Sequence, residues 1–475
     1  VLKDSYLQAF DAVVRQLRIP AYLCGGTVRD LLLNRPIHDV DLVVSEKVFE
    51  AVDLFRKKLE VPAFIMDEER QVARVVVNKG NWDFTGFRNH TIEGDLRKRD
   101  FTINALALRW EDFYPETNLN KVLDPCDGKA DLKRKLIRTV SQDSLRDDPL
   151  RMLRAFRLEA ELKFRIDAEA LQQISELQSL ISNVAAERIR EELDRIFLQP
   201  DSATAWRSIG NSSLFLSLVP ELVLMKGCEQ GGYHHLDVWE HTLVALEKFE
   251  ALLGVNHEVF PEHASRLQEY LSATPGTLDR QRLLKWGLVF HDIGKPQTRE
   301  LREPGRWRFH GHEHVGSDLA QVILKRLKFA RKDVQIVATL IEHHLRPLNV
   351  FNQEERSEDS FYRFFRATGT EGIGVLLMAY GDLSAARGPL ADTQRESEFL
   401  GFIRELIRYY YDEYYPKVNT PELLKGRDLM AFLQMKPGPK MGELLKVIRE
   451  SQLEGKLRNR QDALEFASNW LRKSE

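Results

Sequence analysis

Cysteine is scarce: Cys24, Cys126 and Cys228 are the only three in 475 residues, and about a hundred positions separate each from the next. Such spacing supplies neither a disulfide framework nor a zinc knuckle, and it points to a reducing compartment and three small core side chains. Long apolar runs are missing too, since nothing approaches the ~18 residues that span a bilayer. The opening Val-Leu-Lys-Asp-Ser-Tyr is charged at once and has no apolar core, so it does not read as a secretory signal, and a cytoplasmic location is expected. Low-complexity tracts and repeats of fixed period are absent, which argues against a solenoid or a disordered scaffold. Nor is there a surplus of one charge. With 69 basic and 72 acidic residues the net charge is -3, so a polyanion must be held by a local basic face.

What is present is ordinary globular material, 43% hydrophobic and 30% charged. The chain is long enough for about three cores of ~150 residues each. Strand and helix signals mix in the first part: apolar Ala21–Cys24, a Gly-Gly turn, a helix-like Val28–Leu33, then Asp39–Val44. A hairpin follows, with strands near Val72–Val77 and Trp82–Phe87 joined by the turn-forming Asn78-Lys79-Gly80-Asn81. Beyond about residue 140 the apolar spacing becomes helical, as in Leu150, Leu153 and Phe156 or Val334, Val337, Leu340 and Ile341. The reading is four units: an α+β head over 1–138, an all-α neck over 139–200, an all-α body over 201–415 and a tail over 416–475.

Asp39 and Asp41 alternate with Val40 and Leu42, so on a strand both carboxylates project from one face while the apolar pair packs the other. Asp83, between Trp82 and Phe84, offers a third carboxylate if its strand pairs beside the first. Carboxylates sharing hard cations suit Mg²⁺-dependent phosphoryl transfer. Gly25 and Gly26, just before a helix, let backbone N–H groups approach a triphosphate, with Arg29 one turn on to add charge. Taken singly, each feature is more often a solvated pair or an ordinary turn.

Together, Gly25-Gly26-Thr27-Val28-Arg29-Asp30 followed by His38-Asp39-Val40-Asp41 resembles the signature of the polymerase-β nucleotidyltransferase superfamily. In detail it resembles the class II tRNA nucleotidyltransferase and bacterial poly(A) polymerase family. The resemblance implies catalysis by Asp39, Asp41 and Asp83 with Mg²⁺ on the first two, and nucleotide contacts from Gly25, Gly26, Arg29 and Asp30. Lys98-Arg99-Asp100-Phe101-Thr102-Ile103-Asn104-Ala105 is similar to the next motif, in which Arg99, Asp100 and Asn104 would surround sugar and phosphates. Lys98 stands where the family usually has arginine.

Asp148 and Arg151 lie three apart, so on one helix, with Pro149 in its first turn, they share a face. A carboxylate beside a guanidinium complements the Watson–Crick edge of cytosine or adenine and repels the exocyclic oxygen of uracil or guanine. Read alone, the pair is equally an intrahelical ion pair. The resemblance makes it the reader of CTP and ATP, with Arg154 and Arg157 as further contacts. Family members often carry Glu at the position of Asp147, so no base contact is assigned there. Between Arg88 and Asp100 only eleven residues intervene. Members that build the whole CCA end carry a longer flexible loop here, and members that add only CC lack it.

Histidine concentrates in the body, where His241, His291-Asp292-Ile293-Gly294-Lys295, His312, His314, His343-His344 and Asp382 follow in order. Imidazole and carboxylate together bind divalent transition metals, and helices can gather distant ligands. The order resembles an HD-domain phosphohydrolase, for which His241, His291, Asp292 and Asp382 would be the metal ligands. Lys295, His312 and His343 would contact phosphate or a second metal. His234, His235, His257 and His263 are read as satisfied core histidines.

The tail, with Leu424-Lys425-Gly426-Arg427 and the turn-rich Lys436-Pro437-Gly438-Pro439-Lys440, resembles the family's C-terminal segment and carries twelve basic against eight acidic residues from Lys417 to Glu475. The expected activity is template-independent addition of C, A or both to the tRNA 3′ end, with the short loop favouring CC alone. Its rivals are a poly(A) polymerase, an A-adding partner enzyme, an HD phosphohydrolase acting on RNA-end phosphates, and a non-catalytic RNA-binding protein.

Overall fold

The computed structural model describes residues 2–78, 80–87, 89–231, 236–303, 306–386, 393–453 and 455–473. Lys79 of the expected turn, Arg88 at the start of the short loop, and His234 and His235 lie outside the described residues. The head is built on six strands, β1 Ala21–Cys24, β2 Asp39–Val44, β3 Ala63–Asp67, β4 Val72–Val77, β5 Gly80–Gly86 and β6 Ala107–Arg109, in the order β3-β4-β5-β2-β1-β6. β2 and β5 run parallel and the other neighbours antiparallel. Their register sets Asp39 beside Asn81 and Asp41 beside Asp83. Because side chains alternate along a strand, burying Val40, Leu42, Trp82 and Phe84 sends the three aspartates to the opposite face. The buried face is anchored by Phe10, whose ring meets Phe55, Trp82, Phe84 and Trp110 edge-on at centroid distances of 4.6 to 5.8 Å.

Short parallel strands Leu136–Ile137 and Arg165–Ile166 stitch the head to the neck helix Leu150–Leu162. The neck helix Ala186–Phe197 ends on a lysine clamp: Lys285 Nζ donates to Phe197 O at 3.0 Å and Gln199 O at 2.7 Å while pairing with Glu250 at 2.7 Å. Glu250 in turn accepts from the Ser202 backbone N–H and hydroxyl, satisfying the start of the next helix. Helices dominate the body, with Val238–Gly254 packed on Gly372–Ala385 and Arg331–His343 against both Arg280–Phe290 and His312–Arg326. The body is nevertheless not all-α. Strands Arg299–Glu303 and Arg306–Phe309 form an antiparallel hairpin beside the histidine-rich segment. Leu301, Trp307 and Phe309 alternate there with charged residues, a period-two signal too short to stand out among helices. The tail has its own small core of Leu424, Leu429, Met441, Leu444 and Ile448. No helix among the described residues is long and apolar enough to cross a membrane.

Candidate active site

Thr27 fixes the geometry of the head cleft. Its hydroxyl accepts from the Asp41 N–H at 2.8 Å and donates to Asp39 O at 3.2 Å, clipping the helix Gly25–Leu32 to β2 between the two carboxylates. Gly25 has φ +63°, and a Cβ there would stand 2.6 Å from Arg99 Nη1 and 3.1 Å from Asp41 Oδ2, so only glycine lets the arginine and the aspartate close over this turn. Asp39 is exposed and accepts from the Asn81 N–H and side-chain amide at 3.0 and 2.9 Å. Burial pushes the Asp41 carboxyl up, Arg99 opposes that rise, and Asp83 adds to it. Two carboxylates side by side at a glycine cradle form an all-oxygen donor set that fits a hard cation such as Mg²⁺. Asp83 occupies the expected place, but both its oxygens are engaged by Arg74 at 2.7 Å.

The expected nucleotide residues converge on this cleft of about 610 Å³, which Gly25, Gly26, Arg29, Asp30, Arg99, Asp100, Asn104, Arg151, Arg154 and Arg157 all line. A relay braces its wall: Arg29 donates to Asn104 at 3.0 Å, Asn104 to Asp100 at 3.2 Å, and Arg154 pairs with Asp100 at 2.9 Å. Burial alone would raise Asp100, yet Arg154, the Phe101 N–H, Arg151 and Asn104 together hold it down at about 2. Arg29 also forks onto Asp30, and Arg157 is shared by Glu161 and Glu192 at 2.6 Å each.

The Asp148–Arg151 pair departs from expectation. Asp148 precedes the helix in extended backbone, with φ -146° and ψ 101°, because Pro149 disfavours a helical residue before it. One of its oxygens caps Leu150 N and the other pairs with Arg188 at 2.9 Å. Arg151 is buried and donates to the carbonyls of Lys98, Arg99 and Ser144, locking the Lys98-Arg99 segment to the neck. Asp148 therefore lines an adjoining cleft of about 1050 Å³, to which Arg151 and Arg154 also contribute. Thr27 stands inside the Gly25–Asp30 motif but is assigned no role there, and Arg74 and Arg188 lie in no motif. Only the alternation Arg74–Val75–Val76, facing a known strand, hinted that Arg74 would reach Asp83.

The body gathers a second constellation. Among the described residues, the groups of three or more ligating side chains whose ligand atoms lie within 4.8 Å of one another are His241–His291–Asp292–Asp382 and Asp292–His312–His344. His241 Nε2 lies 2.8 Å from Asp382 and His291 Nε2 3.2 Å from Asp292, while the other Asp292 oxygen is 3.3 Å from His312 Nε2. His291, His312 and His344 bond through Nδ1 to the carbonyls of Leu288, Phe309 and Ile341 at 2.6 to 2.8 Å. A carbonyl can only accept, so Nδ1 of each ring carries the proton and Nε2 is turned inward to the cluster, the orientation metal-ligating histidines take. Burial opposes charge on His291, but Asp292 and Asp382 raise it to about 10, whereas burial and His312 push His344 down to about 3. Gly294 lets the turn approach the next helix, for a Cβ there would lie 2.2 Å from His312 O.

Here the expectation named the wrong member of a pair. His344 is buried in the cluster, whereas His343 accepts from Arg346 at 3.1 Å and lines a separate cleft. The spacing Val337, Ile341, His344 continues the buried stripe of its helix and was the signal for the right choice. Lys295 pairs with Asp292 at 2.7 Å and donates to Gln230 at 2.6 Å. His257 is exposed and is not a core histidine, because the short helix carrying it stands at the surface, while half-buried His263 stacks on Tyr411.

Residues 21–138 match the Poly A polymerase head domain, 163–225 the RNA- and SrmB-binding site of polymerase A, 262–361 the HD domain, and 411–467 the tRNA nucleotidyltransferase domain 2. An A-adding tRNA nucleotidyltransferase from Deinococcus radiodurans is 33% identical over 95% of both chains. A CC-adding tRNA nucleotidyltransferase from Thermus thermophilus is also 33% identical, over 95% of this chain and 93% of the relative. In fold, the chain is similar to a CCA-adding enzyme solved with ATP, with a TM-score of 0.60 at 18% identity over 98% of this chain and 94% of that one. It is similar too to the Thermotoga maritima CCA-adding enzyme complexed with tRNA, with a TM-score of 0.54 at 20% identity over 98% and 94% of the two chains. With one-third identity to curated tRNA nucleotidyltransferases over nearly its whole length, the chain belongs to the tRNA nucleotidyltransferase and poly(A) polymerase family and carries an HD domain in its body.

Proposed function

We propose that this protein is a template-independent nucleotidyltransferase that adds C, A or both to the 3′ end of tRNA in the cytoplasm. The observation that carries the reading is the pair Asp39 and Asp41 held by Thr27 at the mouth of a cleft floored by Gly25 and Gly26. The terminal hydroxyl of the RNA attacks the α-phosphorus of CTP or ATP; a new P–O bond forms, the bond to the β-phosphate oxygen breaks, and pyrophosphate leaves. Mg²⁺ at Asp39 and Asp41 would neutralise the triphosphate and lower the pKa of the attacking hydroxyl. Arg99, above Gly25, faces the phosphates, and the Arg29–Asn104–Asp100–Arg154 relay fixes the wall behind them. Asp148, with Arg151 and Arg154 between it and the metal-binding carboxylates, would read the amino edge of cytosine or adenine.

The test is incorporation from each NTP into tRNA transcripts ending before CCA, after CC and after CCA. CTP addition to the first transcript alone identifies a CC-adding enzyme, and ATP addition to the second alone identifies an A-adding one. A long A tail on unstructured RNA would overturn the tRNA reading in favour of a poly(A) polymerase.

The buried His–Asp cluster favours a second activity, hydrolysis of phosphoesters at RNA ends by the HD body. Its mixed nitrogen and oxygen donors suit a divalent transition metal, which would supply an activated water. In that reaction water adds to phosphorus, one ester P–O bond breaks, and a proton from the water ends on the freed hydroxyl.

A further inference from the structure

The hairpin Arg299–Phe309 stands against the body cluster and contains a group for which neither activity above accounts. On one face the register sets Phe309 opposite Arg299 and Trp307 opposite Leu301. Phe309 joins this face to the cluster twice: its carbonyl receives His312 Nδ1 at 2.8 Å, and its ring lies 5.6 Å from Lys295 Nζ, which pairs with Asp292. Arg299 lies flat on Trp307, its guanidinium carbon 3.6 Å from the ring centroid. That stack fixes the plane and direction of the guanidinium. Its Nε is buried and finds no hydrogen-bond acceptor among the described residues, and its one carboxylate neighbour, Glu229, is exposed and 3.5 Å from the other end of the fork. Arg299 stands across the hairpin from Phe309, the residue that meets both His312 and Lys295.

A buried guanidinium N–H without a partner is costly unless a ligand completes it. A planar fork held rigid beside a metal-binding cluster matches the oxygens of a phosphate. We propose that Arg299, buttressed by Trp307, is the substrate-phosphate contact of the HD body. Arg302 and Arg308, exposed on the other face of the same hairpin, add positive charge for the phosphates of a continuing strand. The proposal rests on the phosphohydrolase reading above and names the residue that gives that site its anion selectivity.

Two measurements on the full chain test it. In metal-free protein, inorganic phosphate should raise the melting temperature of the unmodified chain and of Asp39→Ala alike, and this rise should be clearly smaller in Arg299→Ala and intermediate in Arg299→Lys. In protein loaded with Mn²⁺, Ni²⁺ or Co²⁺, Arg299→Ala should raise KM for adenosine 2′,3′-cyclic phosphate about tenfold with kcat within about twofold, the loss expected for one charge-assisted contact. Trp307→Phe, which keeps a ring under the guanidinium, should shift KM less than Arg299→Ala does. Absence of hydrolysis by the unmodified chain with all three metals would overturn the phosphohydrolase reading and the substrate role of Arg299 with it. Hydrolysis with an unchanged KM and an undiminished phosphate-induced rise in Arg299→Ala would overturn the assignment of Arg299 alone.

Discussion

The head and the body both gather carboxylates that suit a divalent cation, and they do so in opposite ways. In the head, Asp39 is exposed, Asp41 lies one strand position beyond Val40, and the next carboxylate, Asp83, is tied to Arg74. In the body, His241, His291, Asp292, His312 and His344 are at most 5% exposed and already within contact of one another. Two carboxylates on a strand leave most of an octahedral shell to water and triphosphate oxygens, so the proposed head site would hold its metal together with the nucleotide. A closed set of imidazoles oriented through Nδ1 supplies nearly the whole shell, so the body is built to keep a metal between turnovers. The difference follows from secondary structure: a strand offers ligands every second residue along one open face, whereas helix ends converging on a core enclose their ligands.

The sharpest way to break this contrast is to remove one aspartate from each site. Asp41→Ala should cut nucleotide incorporation by about a thousandfold, about 4 kcal/mol of transition-state stabilisation, while Asp292→Ala leaves incorporation within about twofold. Metal analysis after dialysis should then find a transition metal retained by the unmodified chain and by Asp41→Ala but not by Asp292→Ala, with magnesium retained by none. Equal metal loss from both variants would erase the distinction between a shared and a resident ion.

Asp100 gives a smaller effect confined to the head. Its carboxyl stands at about 2 when folded against 3.8 ordinarily. It therefore contributes about 2 kcal/mol that is fully present above the unfolded value and lost as pH falls through the folded one. Asp100→Asn should lower the urea midpoint of the head at pH 7, with the gap to the unmodified protein closing as pH approaches 2.

Asp194, at the joint between neck and body, should show the reverse sign. Burial lifts it to about 6, against which its 2.9 Å bond from Trp286 Nε1 works only in part. As pH rises from 4 toward 7 the unfolded chain releases this proton first, so the folded state loses stability over that window. Asp194→Asn, which still accepts from Trp286, should raise the melting temperature at pH 7 to 8, by at most about 2 kcal/mol in stability, and leave it unchanged below pH 4.

The head was legible because its chemistry is local. Asp39, Asp41 and the Gly-Gly turn lie within seventeen residues, and β-strand alternation by itself assigns their faces. The Lys98–Ala105 motif was legible for the same reason. Where the reading slipped, the deciding partner was distant in sequence: Arg188 claims Asp148 across forty positions. The choice between His343 and His344 is a rotation of about 100° on one helix, settled only by which side of that helix meets Asp292.

By itself the sequence determined the family, the strand that carries Asp39 and Asp41 and the set of residues from which the body cluster is drawn, because spacing within a single strand or helix fixes which side chains share a face. Only the tertiary structure decided that Arg74 holds Asp83, that Asp148 pairs with Arg188 while Arg151 donates to the carbonyls of Lys98, Arg99 and Ser144, that His344 rather than His343 joins the cluster, and that a hairpin sets Arg299 opposite Phe309. Each of these depends on groups far apart along the chain meeting in a buried, low-dielectric space, where a charge must find whichever partner the packing brings to it.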